Sequence, residues 1–354
     1  MRIKKQKISN SDLLTLISKH RLPIMGFSAL YIYLFHEYLT LFHNNRPFLL
    51  LQEWIRGFGY IGVDIFFLLS GMGLIYSIQK SNLGGYYYRR LRRLVFPWIV
   101  MAITIMIVDN WSIERFLKNI SGVSFFTESI YAYLWFVPAI SVFYIVFPLY
   151  YFFFSRQNNK FVFTLQIIAV CFLLTLVSLG FLRDDLYCFI NRLPIFLIGI
   201  YFGWKSKNGT IVSSKELVVL LAILSLIGVY LTTGYLYFDF PKLIPIFEYS
   251  FPAILIAIPL TFFLAKAFSI IKNKKVGKLI YKAFAFLGTI SLELYCVQEF
   301  LGAKIVPLLN DKMGHFLINI VLFAVVLIAA IILSVLGKLF WKVFDGVHER
   351  LFVK

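Results

Sequence analysis

The sequence predicts an all-α, polytopic membrane protein of about ten transmembrane helices, with both termini cytoplasmic. Three observations predict it. Of 354 residues, 60% are hydrophobic and only 15% charged, with a mean hydropathy of +0.82. Soluble domains average about 45–50% apolar and about 25% charged residues. The apolar stretches are continuous and near the ~20 residues needed to cross the hydrocarbon core as helix, not alternating as in a β-barrel. The basic residues, which give a formal net charge of +18, gather in short segments between those stretches.

In order, the spans are read as about 22–42, 60–78, 94–108, 131–154, 161–182, 187–204, 216–234, 249–270, 283–305 and 316–337, a single domain over 1–354. The first 21 residues are polar and basic, and the first span lacks a small-residue cleavage site, so it is read as an anchor. Placing the N-terminus inside puts 26 of the 35 lysines and arginines in inner segments, as the positive-inside rule requires for an even number of spans. The longest outer segment is Asp109–Ile130. No repeat or appended soluble domain stands out. The charge distribution argues for lipid headgroups and against nucleic acid.

At 1.5 Å per residue, His36 lies roughly 22 Å from the inner edge, in the outer third of the first span. Asp64, Trp135, Arg192, Gln298 and Glu299 fall at a similar depth, so five helices bring polar groups to one layer. A carboxylate such as Asp64 costs roughly 2.5–3.5 kcal/mol at the centre of a membrane helix and so marks a functional position. His36 is the candidate base, since an imidazole accepts and returns a proton near neutral pH. Either Asp64 or Glu37 fits the role of its orienting carboxylate. Glu37 is the less natural partner, because adjacent helix residues point about 100° apart. The alternative is that His36 and Asp64 simply tie two helices together.

Arg89, Arg90, Arg92 and Arg93 follow three tyrosines at the inner edge of the third span. They read either as an anion clamp for the phosphates of coenzyme A or as a plain positive-inside anchor. Gly199-x-x-x-Gly203, Gly71 and Gly73 permit close helix approach. Cys171, Cys188 and Cys296 read as small core residues. His20, His43, His315 and His348 lie near span ends and read as interfacial or solvated. No metal-ligand spacing and no phosphate-binding glycine loop is present.

These segments resemble the acyltransferase-3 family of integral-membrane O-acyltransferases, in particular its bacterial surface-polysaccharide branch. The resemblance rests on Arg21-Leu-Pro-Ile…His36, Gly59-Tyr-Ile-Gly-Val-Asp64-Ile-Phe-Phe, Arg89-Arg90-Leu-Arg92-Arg93, Leu134-Trp135-Phe136, Arg192-Leu-Pro194 and Ser291-Leu-Glu293-Leu-Tyr295…Gln298. Two positions depart from its pattern: Arg21 stands fifteen residues before His36 instead of eleven, and Gln298 occupies a place where histidine is common. The resemblance implies a cell-membrane enzyme that moves an acyl group, usually acetyl, from cytoplasmic acyl-CoA to a hydroxyl of an envelope saccharide or lipid-linked sugar. No bound cofactor or metal is expected, and acyl-CoA is a co-substrate. His36 and Asp64 would be catalytic. Arg89, Arg90 and Arg93 would hold the donor, and Trp135, Arg192, Glu293 and Glu37 would line the substrate site. A transporter or flippase of lipid-linked sugars is the rival reading, but the inverted symmetry it calls for is not visible.

Overall fold

The computed structural model describes residues 12–36, 45–80, 82–128, 134–179, 181, 186–208, 215–241 and 251–352. Among them the regular elements are α-helices, without a strand: α1 (Leu13–Lys19), α2 (Arg21–Phe35), α3 (Arg46–Gly57), α4 (Ile61–Ile78), α5 (Leu83–Val108), α6 (Ile113–Ile120), α7 (Val123–Thr127) and α8 (Phe136–Arg156). They continue with α9 (Lys160–Val177), α10 (Tyr187–Ile190), α11 (Leu193–Lys207), α12 (Lys215–Tyr237), α13 (Phe251–Ile271), α14 (Lys275–Thr289), α15 (Ser291–Leu309) and α16 (His315–Phe352). Among the described residues eight stretches are long and apolar enough to cross a membrane, with α3 and α4 taken as one; a ninth arises if α14 and α15 form one broken span. The expected ten are reached only by adding the shorter apolar helix α2, whose predicted continuation, 37–42, lies outside the described residues.

Several boundaries differ from the sequence reading for identifiable reasons. The helix of the third span already begins at Leu83, ahead of the predicted span edge at 94, because nothing in Tyr-Tyr-Tyr-Arg-Arg-Leu-Arg-Arg opposes helix. Asn82 caps it, its side-chain oxygen accepting from the Gly85 N–H at 2.9 Å. Pro97, expected early in a helix, therefore sits well inside one. The fourth span starts at Phe136, which leaves Trp135 in the turn before it. The sixth is interrupted at Asn191–Arg192, with Pro194 in the first turn after the break, a position proline suits. The ninth breaks at Ile290. Outside the predicted spans, Asn45, Ser112 and Asp12 each accept a backbone N–H and start helices α3, α6 and α1.

The helices divide into two compact units. The first holds residues 1–31, 60–86 and 142–289. Its centre is α4 against α11: a Cβ on Gly71 would strike the Phe196 carbonyl, and one on Gly199 the Leu68 carbonyl. Those glycines let the two backbones touch, as the sequence reading expected. His20, expected at a solvated edge, is instead only 1% exposed. Its ring meets Tyr281 edge-on at 5.6 Å, with Nδ1 3.2 Å from the hydroxyl. Burial, aided by the charges of Lys272 and Lys19, pushes its pKa down to about 4. The apolar face of α1 that His20 follows (Leu14, Leu16, Ile17) is what draws it in.

The second unit holds residues 32–59, 87–141 and 290–354. Here α5 packs on α16 through Phe96 and Phe340, whose rings are 5.2 Å apart, and through Tyr88 and Trp341 at 6.0 Å. At 1.5 Å per residue α16 is about 57 Å long, near twice the hydrocarbon thickness, so it must extend beyond the bilayer. The Tyr295 hydroxyl on α15 accepts the Phe136 backbone N–H at 3.2 Å, which anchors the start of α8. The three cysteines carry no disulfide.

Candidate active site

The first unit contains Asp64 and Arg192. Asp64 lies in the first turn of α4 and is fully buried; Arg192, at the α10–α11 break, is 2% exposed. The Arg192 Nε stands 3.5 Å from an Asp64 oxygen, while its Nη1 donates to the Cys188 carbonyl at 2.6 Å. Both Asp64 oxygens lack a hydrogen-bond partner among the described residues. The result is an ion pair shielded from solvent.

His36, the other predicted catalytic group, belongs to the second unit. It follows α2 directly, its N–H donating to the Ile32 carbonyl at 3.2 Å, and the Phe35 ring stands edge-on to it. Its Nε2 lies 3.1 Å from a carboxylate oxygen of Glu299, with side chains 32% and 37% exposed respectively. Unlike the Asp64 pair, this one is open to a partner. Glu299 sits on α15, two turns past Ser291. Its depth in the sequence matched that of His36, but the charged position inside an apolar run was the only hint of a role. Glu37, the other candidate partner, lies outside the described residues, as does His43.

Glu293 also belongs to the second unit, in the first turn of α15, where the helix dipole favours an anion. It is 6% exposed, receives Arg93 Nη1 at 3.2 Å, and keeps its second oxygen buried without a hydrogen-bond partner among the described residues. The arginine cluster divides by helix geometry. On α5, Arg89, Arg93 and Arg90 fall within an arc of about 100°, while Arg92 points to the opposite flank, about 160° from Arg90. Arg92 donates to Asp345 at 2.7 Å and lies 5.8 Å from the Trp341 ring centre; Asp345 also accepts from the Tyr88 hydroxyl. Arg92 thus ties α5 to α16, and Arg89 and Arg90 are half-buried. Trp135 stacks on buried Phe125, centroids 6.3 Å apart. Leu134 before it has φ of 62°, a left-handed conformation costing a non-glycine residue roughly 1–2 kcal/mol.

Among the described residues no group of three or more His, Cys, Asp or Glu could hold a metal ion. Fold and side chains define an all-helical, multi-pass membrane protein with a His–Glu pair, a Glu–Arg pair and an arginine-bearing helix in one unit. Residues 24–338 match the model of the acyltransferase-3 family, described as an acyltransferase domain, and the chain belongs to that family. A peptidoglycan O-acetyltransferase of Listeria monocytogenes, OatA, is 38% identical over 78 residues, which is 20% of this chain and 12% of that protein. The chain therefore matches only a small part of that relative's length. No solved structure matches it.

Proposed function

We propose that the protein is a membrane O-acyltransferase that moves an acyl group, in the main acetyl, from cytoplasmic acyl-CoA to a hydroxyl of an envelope saccharide at the cell membrane, and that its second unit carries the chemistry. The observation that carries this is the exposed contact of His36 with Glu299 at 3.1 Å in a member of an acyltransferase family. Family membership favours transfer over the transport reading.

The Glu299 carboxylate accepts a hydrogen bond from the Nε2–H, which fixes the tautomer and leaves Nδ1 as the basic nitrogen. Nδ1 takes the proton of the acceptor hydroxyl as its oxygen attacks the thioester carbonyl. The C–O bond forms, the C–S bond breaks, and the imidazolium returns the proton to the departing thiolate. Arg89, Arg90 and Arg93 hold the donor phosphates through paired N–H donors, Arg93 exchanging its contact with Glu293 for the donor. Trp135 lines the acceptor side. Asp64 and Arg192 support the first unit and touch neither reactant.

The test is acetyl transfer from radiolabelled acetyl-CoA to envelope glycan in membrane vesicles. His36→Ala lowers labelling by at least about 10²-fold, the range of a general base, with protein abundance unchanged. Label that persists in this variant rejects the assignment.

A further inference from the structure

One cavity in the first unit plays no part in the proposed chemistry. It has a volume of about 660 Å³ and lies among α1, α12 and α13, reaching from Val218 to Ser225 on one wall, from Ile256 to Lys266 on another, and to Leu13. Among the described residues only Ser225 and Lys266 line it with polar side chains. The size suits a small ligand or one hydrocarbon chain.

Its length and position decide between those. Ile256 and Lys266 are ten residues apart on one helix, so the groove runs roughly 15 Å along α13. That is half the ~30 Å hydrocarbon core, the depth of one leaflet. Leu13 and the α12 wall lie at helix starts next to segments that the positive-inside distribution assigns to the cytoplasm, and the α13 wall runs from mid-helix towards the cytoplasmic side at Lys266. Lys266 stands at the cytoplasmic end of the α13 wall and opens a run that continues with Lys272, Lys274, Lys275, Lys278 and Lys282. Anionic lipids concentrate in that leaflet, and a lysine at its surface attracts their headgroups. Among the described residues no acidic side chain lines the groove.

We propose that this groove seats one acyl chain of an anionic phospholipid of the inner leaflet, with Lys266 on its phosphate. The lipid would act as a resident component that fills the gap between α12 and α13.

The full-length protein is reconstituted in vesicles of equal phosphatidylglycerol and phosphatidylcholine, each in turn carrying a photoreactive acyl chain. After irradiation, cross-linked peptides are mapped by mass spectrometry. The wild type cross-links phosphatidylglycerol within 218–225 and 256–266 about fivefold more than phosphatidylcholine, the preference expected of one interfacial lysine. Lys266→Glu removes that preference while both lipids still label, and Ala222→Trp, which fills the groove, removes labelling of these segments. Equal labelling of the two lipids by the wild type, or a preference that survives Lys266→Glu, overturns the proposal. So does finding that these segments cross-link a second copy of the chain instead of lipid.

Discussion

Removing either member of the Asp64–Arg192 pair leaves the other charge sealed among apolar helices. With Nε and Oδ1 at 3.5 Å, the attraction is about 5 kcal/mol at the effective dielectric suited to protein sites. Deleting one partner of a buried pair costs about 3–5 kcal/mol, because an uncompensated charge remains. Replacing both by apolar groups of similar volume removes the attraction and the desolvation penalty together and is often close to neutral. Asp64→Leu and Arg192→Met singly therefore lower stability by about 3–5 kcal/mol each, and the double variant falls far short of their sum. The assay is unfolding of the detergent-solubilised protein by rising denaturing detergent, followed by tryptophan emission, in a double-mutant cycle. Additive losses would refute the pair as the reason for the buried charges. Acetyl transfer in the double variant adds a second check: activity retained supports a supporting role, and activity lost in a well-folded double variant places one of the two in the chemistry.

Glu299→Gln keeps the side chain's shape but removes the charge behind Nε2, so it lowers the acetylation turnover, by less than His36→Ala, with the apparent KM for acetyl-CoA little changed; an unaffected turnover removes Glu299 from the mechanism. Arg90→Ala raises that KM, whereas Arg92→Ala leaves it alone and costs at most about 1 kcal/mol, as exposed ion pairs do; identical kinetic effects of the two would dissolve the division of the cluster. His20 titrates at about 4 in the folded protein, against an ordinary 6.5. Its unfolded form binds the proton first, so stability falls as pH drops from 6.5 towards 4, most of it lost by the lower value. His20→Phe flattens that part of the stability–pH curve, and an unchanged slope would show that His20 does not titrate there.

Sequence alone carried the membrane class and most of the helices, because a bilayer leaves hydrogen-bonded helix as the sole outlet for a continuous apolar run. It also carried that Gly71 and Gly199 permit close helix approach, though not that α4 and α11 are the two helices that meet. Helix limits were less legible. The arginines of α5 look like a loop by charge but are good helix formers, and Trp135 reads as part of an apolar run although the chain turns there. The charged residues singled out inside apolar runs were legible one by one, yet their pairing was not written in the pattern. Depth along a helix places His36, Asp64, Arg192 and Glu299 in one layer without saying which of them face each other. Only the tertiary structure decided that Asp64 meets a cation and His36 a glutamate, and that Arg93 and Arg92 turn to different acids. Side-chain direction depends on helix rotation and on which helices pack, and both are set by contacts far apart in the chain.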